Sequence, residues 1–138
     1  MSNWLRAQVS TEIKNPKRSL FEKALDNMGY KPDYTMKEVH GSFSYESSEP
    51  VDCVLCDKEN GTPSTIGFSF KRTPDNQIQL LVSGDFWSSR FTPTTFMKQL
   101  GMQYNYEMAK EHLEEQGYVI EDTEVREHEI VFVGRMAA

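Results

Sequence analysis

Two cysteines carry the spacing in this sequence that most directly suggests redox or metal chemistry. Cys53 and Cys56 form a Cys-x-x-Cys motif, which occurs in zinc sites and in thioredoxin-like redox centres. Zinc would need two further ligands, and the sequence has no second cysteine pair. A thioredoxin-like thiol lies at a helix N-terminus, whereas Val54 and Leu55 indicate a strand, on which residues three apart point to opposite faces. We therefore interpret the pair as ordinary thiols, with a redox- or metal-responsive role as the alternative.

No other constellation of residues indicates catalysis. The three histidines, His40, His112 and His128, are scattered singly along the sequence, and His112 has no second ligand or nucleophile beside it. Nucleophile-elbow, phosphate-loop and dinucleotide-binding motifs are absent from the sequence. We therefore expect a protein that is not an enzyme and that needs no cofactor.

The strongest charge feature is an acidic region near the C-terminus. Residues 107–129 contain nine acidic residues and two basic ones, a balance of −7, whereas the whole chain carries −6. On the long predicted helix these acids are Glu107, Glu111, Glu114 and Glu115. A solvated face is the ordinary interpretation of such a region. The alternative is a docking surface for a basic partner, because an acidic field steers association.

Aromatic residues are concentrated just before the same helix. Phe86, Trp87, Phe91 and Phe96 lie within eleven positions of one another. They are expected to cover an edge of the sheet. Alternatively, Phe86 and Trp87 form an apolar contact patch for a protein partner.

Short alternating segments predict strands over much of the chain. Such segments cover residues 5–14, 34–45, 51–56, 66–70 and 78–82, and a terminal hairpin is predicted over 119–125 and 129–133. Because the linkers between the middle segments are too short for helical crossovers, these strands are expected to form an antiparallel meander.

Two segments have the period of a helix. The first begins at a predicted Ser19–Glu22 capping box and ends at Gly29, and the second runs from a cap at Thr94 or Thr95 to Gly117. Its predicted buried face combines two stripes: Met97, Gly101, Tyr104 and Met108, and Met102, Tyr106, Ala109 and Leu113. The predicted fold is α+β, a single domain over residues 1–138 with an antiparallel-dominated sheet and two helices packed on one face.

Composition narrows the classes of partner. The net charge of −6 and the pI of about 5.1 disfavour general binding to a phosphate backbone. No run of 18 apolar residues predicts a membrane span, and the first residues lack the pattern of a signal peptide. We therefore expect a cytoplasmic protein whose partner is another protein.

Several short motifs together resemble a known family. They are Ala24-Leu25 followed by Gly29-Tyr30, Asp52-Cys53-Val54-Leu55, Ile66-Gly67-Phe68, Asp85-Phe86-Trp87, Gln103-Tyr104-Asn105-Tyr106 and Glu115-Gln116-Gly117-Tyr118. Their order resembles the hypothetical chloroplast open reading frame 35 family of cyanobacteria and red-algal plastids, a domain of unknown function. The resemblance implies a small α+β protein of photosynthetic or related cells or of their phages, stromal if plastid-encoded, and brings no catalytic residues.

The sequence therefore predicts a non-enzymatic binding or adaptor protein. Its expected contact surface is the acidic helix–hairpin region or the aromatic loop. The alternative is an accessory protein that responds to redox state or metal through Cys53 and Cys56.

Overall fold

The fold is α+β, as the sequence predicts. The computed structural model describes residues 6–41, 48–86, 91–125 and 130–137. Its helices are α1 (Arg18–Asn27) and α2 (Pro93–Glu115). Its strands are β1 (Arg6–Lys14), β2 (Tyr30–Asp33), β3 (Glu38–His40), β4 (Ser48–Pro50), β5 (Cys53–Asp57), β6 (Pro63–Arg72), β7 (Ile78–Asp85), β8 (Tyr118–Val125) and β9 (Ile130–Met136).

The central sheet has five antiparallel strands in the order β1-β7-β6-β5-β2. Strands β5, β6 and β7 form the predicted meander, in which Phe68 is opposite Cys53 on one side and Val82 on the other. Strand β1 joins the edge at β7, and β2 joins the edge at β5. The meander is thus closed on both sides by strands from the first quarter of the chain.

Both helices pack on the same face of this sheet, again as predicted. The ring of Phe68 in β6 lies 5.1 Å from Phe21 of α1 and 5.9 Å from Phe96 of α2. All three side chains are fully buried. Because one sheet residue touches both helices, the aromatic cluster fixes the helices against each other as well as against the sheet.

A small ribbon covers the other face of the sheet. Strands β3 and β4 pair only with each other, and Val39 and Val51 pack with Val54 of β5. A Cβ atom built on Gly67 would lie 2.9 Å from Val39 Cγ1 and 2.8 Å from Val51 Cγ1. A glycine in the centre of β6 therefore permits the close approach of this ribbon.

The two helices end in the same way. Gly29 has a φ of 90° and Gly117 a φ of 91°, so both occupy the left-handed conformation that terminates a helix. Tyr30 and Tyr118 then begin strands β2 and β8. The predicted helix stops, and the strand after each, are confirmed.

The predicted starts of both helices were wrong. Helix α1 begins one residue before Ser19, and its N-cap residue, Lys17, makes no side-chain capping bond. The amide of Lys17 instead donates to Tyr104 Oη of α2 at 2.9 Å. Helix α2 is capped by Thr92, whose side chain accepts a hydrogen bond from the Thr95 amide at 3.1 Å. A proline at the first helical position sets this earlier start, because its fixed φ suits that site.

Replacing Thr92 by alanine is expected to lower the free energy of unfolding by about 1 kcal/mol, because the Thr95 amide loses its acceptor. Urea denaturation of Thr92→Ala and wild type measures the difference. Thr94→Ala is the matched control: Thr94 is exposed within the first turn, so its change is expected to stay within about 0.5 kcal/mol. If Thr94→Ala lowered the free energy of unfolding more than Thr92→Ala does, Thr94 would be the N-cap, as the sequence predicts.

The buried face of α2 matches the prediction only in part, since Tyr104 is buried as predicted, whereas Phe96 and Leu100 were not in the predicted stripes. The fully packed side chains are Phe96, Leu100 and Tyr104, spaced four residues apart. Met97 packs at the border of this core, but Met108, which was predicted to be buried, is 47% exposed. Apolar residues lie on several sides of α2, so the position of the sheet rather than the pattern selects the buried side.

The C-terminal hairpin forms a separate two-stranded sheet. Strands β8 and β9 pair in antiparallel fashion, with an irregularity between Ile120 and Asp122. The ring of Phe132 in β9 stacks on Tyr106 of α2 with centroids 5.3 Å apart. The second apolar side of α2 therefore supports the hairpin instead of the central sheet.

Neither of the two described helices is apolar enough over a sufficient length to cross a membrane.

Candidate functional site

The two cysteines lie in β5, and both are buried. Cys53 is fully buried in the core beneath the helices, together with Leu55. Val54, between them, packs with the β3–β4 ribbon on the opposite face. Cys56 is 6% exposed, and its Sγ lies 4.0 Å from the carbonyl oxygen of Val54. The two cysteines do not form a disulfide with each other.

Burial also changes the chemistry of these thiols. Loss of hydration raises the pKa of Cys53 to about 12 and raises that of Cys56 as well. A thiol reacts and binds metal as the thiolate, so both groups are held in their less reactive form at neutral pH. Within the described ranges, no three His, Cys, Asp or Glu residues are grouped so as to hold a metal ion. The redox or metal-responsive role remains a prediction.

The four helix glutamates divide into two pairs with different surroundings. Glu107 and Glu111 lie in the contact between α1 and α2. Glu107 Oε1 accepts a hydrogen bond from Asn27 Nδ2 at 3.1 Å. Glu111 forms an ion pair with Lys17, which lowers the pKa of the Glu111 carboxyl and raises that of the Lys17 amine. These two glutamates therefore help to join the helices.

Glu114 and Glu115 lie at the end of α2 and are exposed to solvent. Neither carboxylate forms an ion pair or a side-chain hydrogen bond with another described residue, although the charge of Glu115 helps to raise the pKa of Lys17. Asp122, in the adjacent hairpin, is also exposed. The exposed part of the predicted acidic surface is thus shifted toward the last turn of α2 and strand β8.

Exposed apolar side chains occur in the same region. Among the described residues, the large hydrophobic side chains open to solvent are Met108, Tyr118, Val119, Val133 and Met136. All of them belong to the second half of α2 or to the hairpin. We call this combination of α2 residues 107–115 with β8 and β9 the C-terminal surface.

The hairpin presents an apolar stripe away from α2. Because Phe132 stacks on α2, its neighbour Val133 points outward and is 52% exposed. Arg135 shares that outward face, and its cross-strand partner is Val119. Arg135 Nε also bonds to Glu121 Oε1 at 2.6 Å. The outward face therefore combines valines with charged side chains at its margin.

The structure buries one of the two aromatic residues proposed as a contact patch. Phe86 is 2% exposed, and its ring lies 6.0 Å from that of Phe96. Phe86 therefore does not present a surface for a partner and instead closes the core between β7 and α2, as the ordinary interpretation expects. Trp87 lies outside the described residues.

No sequence pattern predicts the polar contacts between the helices. They join residues 80 and 94 positions apart, in Asn27–Glu107 and Lys17–Glu111. The sequence offers one signal, because residues 1–37 contain seven basic and four acidic side chains, whereas α2 is acidic, and opposite charges suggest complementary faces. It does not specify which acids are used.

The fold defines a small α+β domain with an antiparallel five-stranded sheet. Within that class, the chain belongs to a family of proteins of unknown function, DUF1257, whose model matches residues 24–133. The match begins inside α1 and ends inside β9, so it includes both the helix layer and the C-terminal surface. No curated protein and no solved structure matches the chain.

Proposed function

We propose that this protein is a non-enzymatic binding or adaptor protein that recruits a basic protein partner through its C-terminal surface. The observation that supports the proposal is the coincidence of exposed apolar and unneutralised acidic side chains on that surface. Protein interfaces combine an apolar centre with a polar rim. Val119 and Val133 supply such a centre, Asp122 is opposite Val133 across the hairpin, and Glu114 and Glu115 are exposed at the end of α2.

The charges indicate the chemistry of the partner. Within residues 107–125 and 130–137, the basic side chains are Lys110 and Arg135, and Arg135 is already bonded to Glu121. A partner with exposed lysines or arginines around an apolar contact would complement this surface. Acidic rim residues accelerate the encounter with such a partner, and their effect weakens as salt screens the charges.

Affinity capture with the full chain tests the proposal. Wild-type protein is immobilised, and captured partners are compared with those retained by Glu114→Gln/Glu115→Gln and by Val133→Thr. The charge pair is expected to weaken capture about fivefold, because each rim charge contributes up to about 1 kcal/mol. Val133→Thr keeps a β-branched side chain but places a hydroxyl in the apolar stripe, so it is expected to weaken capture as well.

The matched control is Glu38→Gln/Glu59→Gln, which removes the same charge from two exposed residues outside the C-terminal surface. This variant is expected to capture the partner as well as wild type does. For both proteins, a rising salt concentration is expected to release the captured partner. The proposal would be contradicted if capture did not depend on salt and if the Glu114/Glu115 and Glu38/Glu59 variants both captured the partner as well as wild type does.

We further propose a cellular setting on the basis of the resemblance to the chloroplast open reading frame 35 family. In this proposal the protein acts in the cytoplasm of cyanobacteria, in the plastid stroma, or in cells infected by their phages. The same capture experiment, carried out with lysates of two organisms, tests this cellular setting. A cyanobacterial lysate is expected to yield a salt-sensitive partner that a lysate of a non-photosynthetic bacterium lacks.

A further inference from the structure

A groove lies between α1, α2 and β2, beside the C-terminal surface, with which it shares Glu107 and Lys110. Its volume is about 700 Å³, which is within the range of small-molecule sites. Tyr30 and Tyr34 contribute aromatic rings to its wall, and Glu107 lies where the groove meets the C-terminal surface.

The acidic side chains of the groove are all engaged by neighbouring groups. The contacts are Glu22 Oε1 with Arg18 Nε at 3.0 Å, Asp26 Oδ2 with Lys58 Nζ at 2.9 Å, and Glu107 Oε1 with Asn27 Nδ2 at 3.1 Å. Arg18 and Lys58 therefore neutralise the charges of Glu22 and Asp26, whereas Glu107 keeps its negative charge at the rim of the groove.

Three basic side chains of the groove remain without such partners. Lys23, Lys31 and Lys110 line the groove, and none of them forms an ion pair or hydrogen bond with another described residue. The lining therefore combines four basic side chains with three acidic ones, a local excess of positive charge in a chain of net charge −6. An excess of this kind attracts an anion.

Arg18 is already oriented by the fold. Its guanidinium carbon lies 4.0 Å from the centroid of the Tyr34 ring, and its Nε is bonded to Glu22. The terminal nitrogens of an arginine held in this way form a fork that matches phosphate oxygens. Burial raises the pKa of Tyr34 to about 12, so the phenol adds no negative charge.

We propose that this groove is a binding site for a small phosphorylated molecule. Lys23, Lys31 and Lys110 would neutralise the phosphate charge, and the tyrosines offer an apolar wall for the rest of the ligand. A long nucleic acid is a poorer fit, because a strand that continued along α2 would meet Glu111, Glu114 and Glu115. The proposal does not depend on the partner inferred for the C-terminal surface.

Calorimetric titration of the full chain with inorganic tripolyphosphate at low salt tests this site. Wild type is expected to show saturable binding to one site, and Lys23→Gln/Lys110→Gln is expected to bind about tenfold more weakly, since two cations are lost. The control, Lys71→Gln/Lys98→Gln, removes the same charge from two exposed residues outside the groove. It is expected to bind like wild type.

Glu107→Gln adds a test in the opposite direction. Glutamine keeps the acceptor for Asn27 but removes a negative charge from the groove, so tripolyphosphate is expected to bind a few-fold more tightly. Absence of saturable binding, equal weakening in the two lysine pairs, or weaker binding by Glu107→Gln would each overturn the proposal. Thermal unfolding of every variant confirms that it is folded before titration.

Discussion

Replacing Phe96 by alanine is expected to lower the free energy of unfolding by about 3–5 kcal/mol, the cost of removing a fully buried aromatic side chain. Phe96 is at the centre of the aromatic core. Its ring lies within 6.2 Å of the rings of Tyr30, Phe68, Phe86 and Phe91. The substitution leaves a cavity between α2 and the sheet, because four rings held by other elements cannot all move to fill it.

Met108→Ala is the matched control on the same helix. Its side chain is 47% exposed, so the expected change is within about 0.5 kcal/mol. Urea denaturation of both variants gives the two differences, provided that the slopes with denaturant stay the same. If Met108→Ala were as costly as Phe96→Ala, the buried face would be the one predicted from the stripes of α2.

Local patterns predicted most of the secondary structure, because those signals reside in neighbouring residues. Alternation in β6 and β7 predicted the meander, and Gly29 and Gly117 predicted the helix ends. The starts of the helices were missed for a physical reason. The amide of Lys17, the residue that precedes α1, donates to Tyr104, which is 87 residues away in sequence, so a contact that no local pattern reveals helps to fix where this helix begins.

The face of α2 shows where local patterns stop being informative. Met97, Tyr104 and Met108, from the predicted stripe, fit a helical period as well as Phe96, Leu100 and Tyr104 do. Only the position of β6, which brings Phe68 against Phe96, selects the second set. A helix that contacts a sheet on one side and a hairpin on another carries apolar residues on both, and this widens its apparent apolar face.

The sequence predicted which region of the chain is acidic, but it did not predict which acidic side chains face solvent. Clustered acids identified α2 and the hairpin as the charged region. The division of its glutamates into Glu107 and Glu111, which join the helices, and Glu114 and Glu115, which face solvent, depends on the position of α1. The lysines of the groove gave no signal at all, because α1, β2 and α2 bring them together only in the fold.

Cys53 is expected to react with an aromatic disulfide reagent at pH 8 at least a thousandfold more slowly in the folded protein than in denaturant. Burial raises its pKa from the ordinary value of 9.0 to about 12. At pH 8 the thiolate fraction then falls from about one in ten to about one in ten thousand. Exclusion of the reagent from the core slows the reaction further. The Cys56→Ala variant retains only Cys53, so the rate at which it releases the coloured aromatic thiol from the reagent measures the reaction of Cys53.

The raised pKa also predicts a dependence of stability on pH. A thiol that remains protonated to about pH 12 when folded, but ionises near pH 9 when unfolded, favours the folded state fully below pH 9. This contribution is lost as the pH rises from about 9 to 12, because the unfolded chain releases the proton first. Urea midpoints of wild type and Cys53→Ala are therefore expected to converge or cross over in that range.

The same measurement bears on the redox or metal-responsive alternative. A sensor needs thiolates that an oxidant or metal can reach, and a disulfide needs both Cβ atoms to point toward each other. Cys53 packs in the core beneath the helices, and Cys56 is only 6% exposed, so neither thiol is open to solvent. Slow reaction of Cys53, with Cys56 faster in Cys53→Ala, would show that the fold protects ordinary thiols. A folded-state rate for Cys53 within tenfold of the denatured rate would instead mean that β5 opens readily, and Cys-x-x-Cys chemistry would become the better account of this protein.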